Sequence, residues 1–330
     1  MKMNRLFVML LCLVLVLSLA GPTMFAAKPL RIAMVTDIGG LGDKSFNDAA
    51  YEGLKLCEKK LGAKIMVVES KKMEDYVPNL KSLADQKYDM IWAIGFLMND
   101  ALKEVSKQYP NVKFGIIDSV VDNPNVLSTT FKEEEGSFLV GLVAGKDTKK
   151  NIVGFVGGME FPLIKKFEAG FKAGAKAANP KVQVRSAYAG SFGDPAKGKE
   201  LANAQFASGA DIVYHAAGAT GLGVIEAAKE RGKGYWAIGV DQDQHRLAAN
   251  NIKACMVKRV DIGVFNGVKT LADGKFKGGV VSLGLKENGV SVCANTKKTA
   301  SKAALKLVNK YTKLIIANKY EVPTDPAKVK

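Results

Sequence analysis

The sequence predicts an α/β protein of two doubly wound lobes, and three observations carry that prediction. Short apolar runs rich in Val and Ile alternate with amphipathic helical stretches, as in parallel strands connected by helices. The alternation runs through two successive series of about a hundred residues each. The 330 residues are 48% hydrophobic, 24% charged and 8% aromatic, enough apolar mass for two cores. The same composition excludes collagen-like, disordered and polytopic membrane classes.

In the first series, Arg31–Thr36 (RIAMVT) is a continuous apolar run, as expected of a strand buried on both faces, and leads into a loop holding Gly39, Gly40 and Gly42. Ser45–Leu61 has helical spacing, and Ser45 with Asp48 three places on reads as a capping box. Strand Lys64–Glu69, helix Tyr76–Gln86, strand Met90–Ile94, helix Asn99–Gln108 and strand Lys113–Asp118 follow.

The second series begins near residue 128 with helix Glu133–Gly145 and strand Ile152–Val156. Helix Lys165–Ala178, strand Val182–Tyr188, helix Pro195–Ser208 and strand Asp211–His215 come next, then helix Gly221–Gly232 and strand Tyr235–Gly239. Strand-like segments IKACMV and VSVCAN lie further on. In such sheets ligands bind beyond the carboxyl ends of the strands, so two facing lobes place those ends on either side of one cleft.

Residues 1–27 read as a cleaved secretory signal. Lys2 and Arg5 precede the 15-residue apolar run Leu6–Ala20, and the small pair Ala26-Ala27 follows. The run is shorter than the roughly 20 residues of a spanning helix. A lipoprotein would carry a cysteine at the cleavage point, but Cys12 lies inside the run, so a free periplasmic protein is expected. Removal of Lys2 and Arg5 leaves +14 of the formal +16 charge, which bears on attraction to anionic surfaces and not on fold. Of the remaining cysteines, Cys57 shares a helical face with Ala50, Gly53 and Leu54 and reads as a buried thiol. Export permits a disulfide, for which Cys255 and Cys293 are the candidates, the alternative being two free thiols.

The loop Gly39-Gly40-Leu41-Gly42-Asp43-Lys44-Ser45 is not a phosphate loop, because Asp43 stands where the motif needs glycine and adds negative charge. Neither it nor Gly218–Gly223 (GATGLG) gives the dinucleotide fingerprint. His215 and His245 lack Cys or carboxylate partners at zinc spacing, and no G-x-S-x-G elbow is present. No catalytic residue, metal or cofactor is expected, and the pattern favours binding without chemistry.

Strand ends and helix starts then supply a candidate ligand set. The first lobe offers Asp37, Phe46, Asn47, Phe96 and Asp118, and the second offers Phe192, Gly218, Asp241 and Lys258. Aromatic faces stack a planar base for about 1–3 kcal/mol each, carboxylates accept from ring N–H or sugar hydroxyls, and Lys258 offsets the gathered negative charge. Each residue has a local alternative: Phe46 as a staple of its helix, Asn47 as a cap, Asp37 and Asp118 as turn residues, Asp241 with Lys258 as a hinge pair, Phe96 as packing. The Glu133–Glu135 run and the surplus Lys and Arg read as solvated faces.

Several stretches resemble the basic membrane protein family of ABC-transporter substrate-binding proteins, whose characterised members bind purine nucleosides. They are GDKSFND (Gly42–Asp48), VGFVGGM (Val153–Met159), FEAGFKAGA (Phe167–Ala175), SFGDPAKGK (Ser191–Lys199), GVDQDQ (Gly239–Gln244) and VKRVD (Val257–Asp261), and they run in family order over the mature chain. The resemblance implies a type I periplasmic-binding-protein fold with three crossovers, divided as residues 28–127 and 259–282 against 128–258 and 283–330. It also implies a base sandwiched by Phe46 and Phe192, with polar contacts from Asp37, Asn47, Asp118, Gly218, Asp241 and Lys258. The expected partners are a nucleoside such as guanosine, adenosine or inosine and a membrane permease, the protein acting as a monomer without nucleic acid. The family's usual Gly-Gly-Thr-Gly is Ala217-Gly218-Ala219-Thr220 here. Two other readings stay open: the same fold holding a sugar or another small metabolite, and an exported nucleoside hydrolase using carboxylates such as Asp37 and Asp241.

Overall fold

The computed structural model describes residues 28–329, and the secretory signal read over residues 1–27 lies outside them. Five strands open the chain: β1 (Arg31–Val35), β2 (Lys64–Val68), β3 (Met90–Ile94), β4 (Lys113–Ile117) and β5 (Val126–Phe131). Helices α1 (Phe46–Leu61), α2 (Tyr76–Asp85) and α3 (Asn99–Gln108) connect the first four. After α4 (Glu133–Asp147) come β6 (Ile152–Gly157), α5 (Pro162–Ala178), β7 (Gln183–Tyr188), α6 (Pro195–Ala207) and β8 (Ile212–Ala216). Then follow α7 (Thr220–Arg231), β9 (Trp236–Asp241), β10 (Ile252–Lys258), α8 (Val260–Ala272), β11 (Gly279–Leu283) and β12 (Val290–Val292). Helices α9 (Thr296–Thr299) and α10 (Lys302–Ile316) finish the described chain.

The strands form two six-stranded sheets, ordered β11-β5-β4-β3-β1-β2 and β12-β10-β9-β8-β6-β7. Every neighbouring pair is parallel except β10 with β12. This is the predicted α/β architecture of two doubly wound lobes. Continuous apolar runs take the sheet centres, where β3 and β8 are buried along their whole length, whereas edge strands β2, β7 and β11 are largely exposed. Chain order reverses at β1, between β2 and β3, and at β6, between β7 and β8. Those switch points open crevices beyond the strand ends.

The chain passes between lobes three times: from β5 into α4, from β10 into α8 and from β11 into β12. All three passes leave one margin, where β5 and β11 are neighbours in one sheet and β10 and β12 in the other. Helix α4 is buried nearly all round, so it carries apolar residues on every face. It packs backbone-to-backbone on α5: a Cβ at Gly141 would stand 2.3 Å from the Phe171 carbonyl oxygen, and one at Gly174 would stand 2.0 Å from that of Phe138. That close approach fixes the start of α4 beside the start of α5, at the cleft. Among the described residues no helix is long and apolar enough to cross a membrane.

Two local expectations are corrected, and the cysteine pair takes one of the two alternatives left open. Ser45 makes no side-chain cap on α1; its hydroxyl is drawn instead to Asp241 of the other lobe, and Asp43 accepts from the backbone N–H groups of Ser45, Asn47 and Asp48. Glu133 and Glu135 are not solvated: the lobe crossing buries both, Glu133 completely. Cys255 and Cys293 do not form a disulfide, and all three described cysteines are free thiols. The His245 Nδ1 lies 3.6 Å from each of the two sulfurs.

Candidate functional site

Strand ends from both lobes line one interlobe cavity, with about 520 Å³ of space between them counting the part that opens to solvent. Asp37 follows β1, Phe46 and Asn47 begin α1, Phe96 follows β3 and Asp118 follows β4. Opposite them, Phe192 lies between β7 and α6, Gly218 follows β8, Asp241 ends β9 and Lys258 ends β10. All nine residues singled out from the sequence line this one cavity.

The polar half is organised around Lys258, whose ammonium donates to Asp118 Oδ2 at 2.5 Å and is 3.9 Å from Glu133 Oε1. Burial works against its charge, but the carboxylates of Asp118, Asp241 and Glu133 outweigh that and hold Lys258 above the ordinary lysine range. The ammonium also stands over the rings of Phe46, Phe131 and Phe167, 4.8–5.4 Å from their centroids. Glu133 is pushed up to about 8 by burial, against the pull of Lys258, and neither of its carboxylate oxygens has a hydrogen-bond partner. Asp118 Oδ1, on the cavity wall, is likewise unpaired.

Asp118 and Asp241 hold corresponding places in the two lobes, each at the carboxyl end of the fourth strand. Both adopt left-handed backbone, with φ of 66° and 64°, a conformation that costs energy for non-glycine residues and clusters where function fixes a side chain. Asp37 accepts from Asn47 Nδ2 at 2.7 Å and from the Gly39 N–H at 2.8 Å, so Asn47 acts as a strut rather than a helix cap. Burial raises Asp37 and Asp241 to about 6 each, offset in part by Asn47 for the first and by Lys258 for the second. Both are therefore mostly ionised at neutral pH and ready to accept hydrogen bonds.

The apolar half is aromatic. The Phe192 ring meets Phe96 edge-on at 6.1 Å, and Phe96 leans on Phe161 at 5.2 Å. Gly158, after β6, makes room for Phe192: a Cβ there would come within 2.3 Å of its ring. Phe46 and Phe192 thus reach the cavity from opposite lobes.

The lobes are joined directly beside the cavity. Ser45 Oγ donates to Asp241 Oδ2 at 2.5 Å, Gln242 Nε2 to the Ser45 carbonyl at 3.0 Å and Gln244 Nε2 to the Lys44 carbonyl at 3.0 Å. Together with Lys258–Asp118 these bonds define a closed arrangement.

Several cavity residues were outside the candidate ligand set: Asp43, Leu163, Ile164, Phe167 and Val240. Phe167 belongs to the FEAGFKAGA stretch, and only the approach of α5 to α4 turns it inward. A second constellation, Asp243 with His245, Cys255 and Cys293, has donor atoms all within 4.8 Å of one another. The sequence left His245 without partners because Cys293 is 48 residues away, just past β12.

The chain is similar to known proteins over nearly its whole described length. The chain is 39% identical over 322 residues to a CD4+ T-cell-stimulating antigen of Listeria monocytogenes, spanning 91% of this chain and 90% of that one. It is 38% identical over 316 residues to the ABC transporter nucleoside-binding protein BmpA of Lactococcus lactis, spanning 89% of each. A solved ABC transporter solute-binding protein from Aeropyrum pernix superposes with a TM-score of 0.84 at 29% identity, covering 90% of this chain and 94% of that one. The sequence pattern described as ABC transporter substrate-binding protein PnrA-like matches residues 30–325. With nearly the whole described chain matched, the protein belongs to the Bmp family of ABC-transporter substrate-binding proteins.

Proposed function

We propose that this protein captures a purine nucleoside outside the membrane and delivers it to an ABC permease without altering it. The observation that carries the reading is that Phe46 and Phe192 from opposite lobes line one cavity together with the carboxylates of Asp37, Asp118 and Asp241 and the amine of Lys258. Two rings on one cavity suit a flat heterocycle, and the carboxyl oxygens of Asp37, Asp118 and Asp241 suit the N–H groups and hydroxyls of a nucleoside. The Lactococcus relative, named as nucleoside-binding, supports the same ligand class. The signal read over residues 1–27 supports export to the periplasm.

Capture follows from the hinge. The open form offers one ring and part of the polar set, and closure completes the other ring and the cross-lobe bonds, so ligand shifts the equilibrium toward closure. Micromolar affinity needs about 8 kcal/mol. Two stacked faces contribute about 2–6 kcal/mol, and polar contacts at the carboxylates and Lys258 contribute the rest.

Mass spectrometry of the small molecules released on denaturing the protein, followed by calorimetry with guanosine, adenosine, inosine and a panel of sugars, tests this. Purine nucleosides bound in preference to sugars, with no free base released from inosine, is the expected result. A sugar as the co-purifying ligand, or hydrolysis of inosine, overturns it.

A further inference from the structure

Behind the cleft, on the loop between β9 and β10, four side chains with metal-ligating atoms meet although they are scattered along the sequence. His245 Nδ1 lies 2.8 Å from Asp243 Oδ1 and 3.6 Å from the sulfurs of both Cys255 and Cys293. Cys255 is wholly buried, Cys293 and His245 nearly so, while the Asp243 side chain is one-third exposed. We propose that Asp243, His245, Cys255 and Cys293 form a binding site for a zinc-class divalent cation that staples the β9–β10 loop to the segment after β12.

The distances fit. Zinc binds sulfur at about 2.3 Å and imidazole nitrogen at about 2.0–2.1 Å, so a tetrahedral site has sulfur–nitrogen edges of about 3.6 Å. Both such edges here measure 3.6 Å. The Asp243 oxygen is 4.0 Å from the Cys255 sulfur and closer than that to the imidazole, so a shift of about half an ångström off His245 brings it to the fourth corner. Two sulfurs, one imidazole and one carboxylate favour zinc over oxygen-seeking magnesium or calcium.

The surroundings hold the ligands in place, as outer partners of metal sites do. The far ring nitrogen of His245 faces the Thr299 hydroxyl at 3.4 Å, the second oxygen of Asp243 accepts from Asn295 Nδ2 at 2.7 Å, and the first accepts from the His245 backbone N–H at 3.1 Å, which holds it beside the ring. The Thr296 hydroxyl is 3.2 Å from the Cys293 sulfur and the Gln244 N–H donates to that of Cys255 at 3.3 Å. Asp243 also lines a surface groove with Gln242, Val257 and Arg259, which gives an ion a way in.

A cation here acts on the cleft through the backbone. The same loop carries Asp241 to the cavity and sends Gln242 and Gln244 to the first lobe. Fixing residues 243 and 245 therefore fixes the platform from which the second lobe closes.

The test uses the full exported protein, purified without reductant, chelator or added metal. Its zinc content is measured, its free thiols are counted after denaturation, and the stripped protein is titrated with Zn²⁺ against a chromophoric chelator and with Co²⁺. The expected result is about one equivalent of metal per chain, reduced Cys255 and Cys293, and a cobalt spectrum with tetrahedral d–d bands and thiolate charge transfer. Cys57→Ser should keep these signals, and the double variant Cys255→Ser/Cys293→Ser should lose the charge-transfer band and at least tenfold in affinity. A Cys255–Cys293 disulfide in the isolated protein overturns the proposal, as does a wild-type protein that fails to compete with the chelator. Wild-type measurements decide the matter even where the double variant does not fold.

Discussion

The hydroxyl of Ser45, at the start of α1, donates to the carboxylate of Asp241, at the end of β9, and so bridges two residues 196 positions apart and in different lobes. Locally, Ser45 would have capped its own helix; the structure assigns that task to Asp43 and spends the serine across the cleft. On the proposed hinge closure the bond forms as the lobes meet, so its loss is expected to penalise closure. Ser45→Ala is expected to weaken nucleoside binding by about 1–2 kcal/mol, or about 5- to 30-fold. The melting temperature of the ligand-free protein should shift by less than a degree or two. Calorimetry beside thermal unfolding checks this, and an unchanged affinity would show that the bond contributes nothing to closure.

Phe46 and Phe192 should each matter to binding through area and stacking. Phe46→Ala and Phe192→Ala are each expected to reduce affinity for guanosine or adenosine at least tenfold, in line with about 1–3 kcal/mol per stacked base. Leucine at either position should recover part of the loss by burial alone. Equal affinities for wild type and both alanine variants would remove the sandwich.

Ligand affinity should fall in acid. Asp37 and Asp241 both lose their protons near 6, burial having raised them from 3.8. The ionised forms accept the ligand's hydrogen bonds, so protons compete with ligand as pH drops through that value. A titration from pH 7.5 to pH 5 should show about tenfold weaker binding for each carboxylate required, since one pH unit below the pKa leaves a tenth of it ionised. A flat profile would count against both as acceptors.

Glu133 predicts a stability trend of the opposite sign to that of a salt-bridged acid. Burial raises it from 4.5 to about 8, so the folded state holds this proton more tightly than the unfolded chain. The stability it contributes is complete below pH 4.5 and is lost as pH rises through about 8. Glu133→Gln, which keeps the shape without the charge, should therefore leave stability nearly unchanged at pH 4.5 and stabilise the protein increasingly from there to pH 8.5. Urea unfolding at both pH values checks this; a variant less stable than wild type at pH 8.5 would mean that Lys258 depends on the Glu133 charge.

The strands were readable because central parallel strands carry unbroken apolar runs, and Met90–Ile94 was delimited to the residue. Cavity residues such as Asp37, Phe96 and Lys258 were reachable by one rule, that ligands meet the carboxyl ends of parallel strands. What escaped was burial decided by distant packing. Glu133–Glu135 has the composition of a solvated helix start, and only the glycine-mediated contact of α4 with α5 at a lobe crossing draws Glu133 inside. Asp43 was weighed as a charge that repels phosphate, whereas its oxygens are taken up by three backbone N–H groups. The Asp243–His245–Cys255–Cys293 group escaped for another reason: its members assemble through the antiparallel pairing of β10 with β12, which no local spacing reveals.

The three connections at a single margin have a mechanical consequence. Two rigid bodies tied along one line by three strands lose the freedom to slide or shear past each other and keep a swing about that line. On the proposed hinge closure, one angle then describes most of the movement. A single pair of dyes on β2 and β7, the strands furthest from the ties in their respective sheets, would read every stage of the movement as one distance.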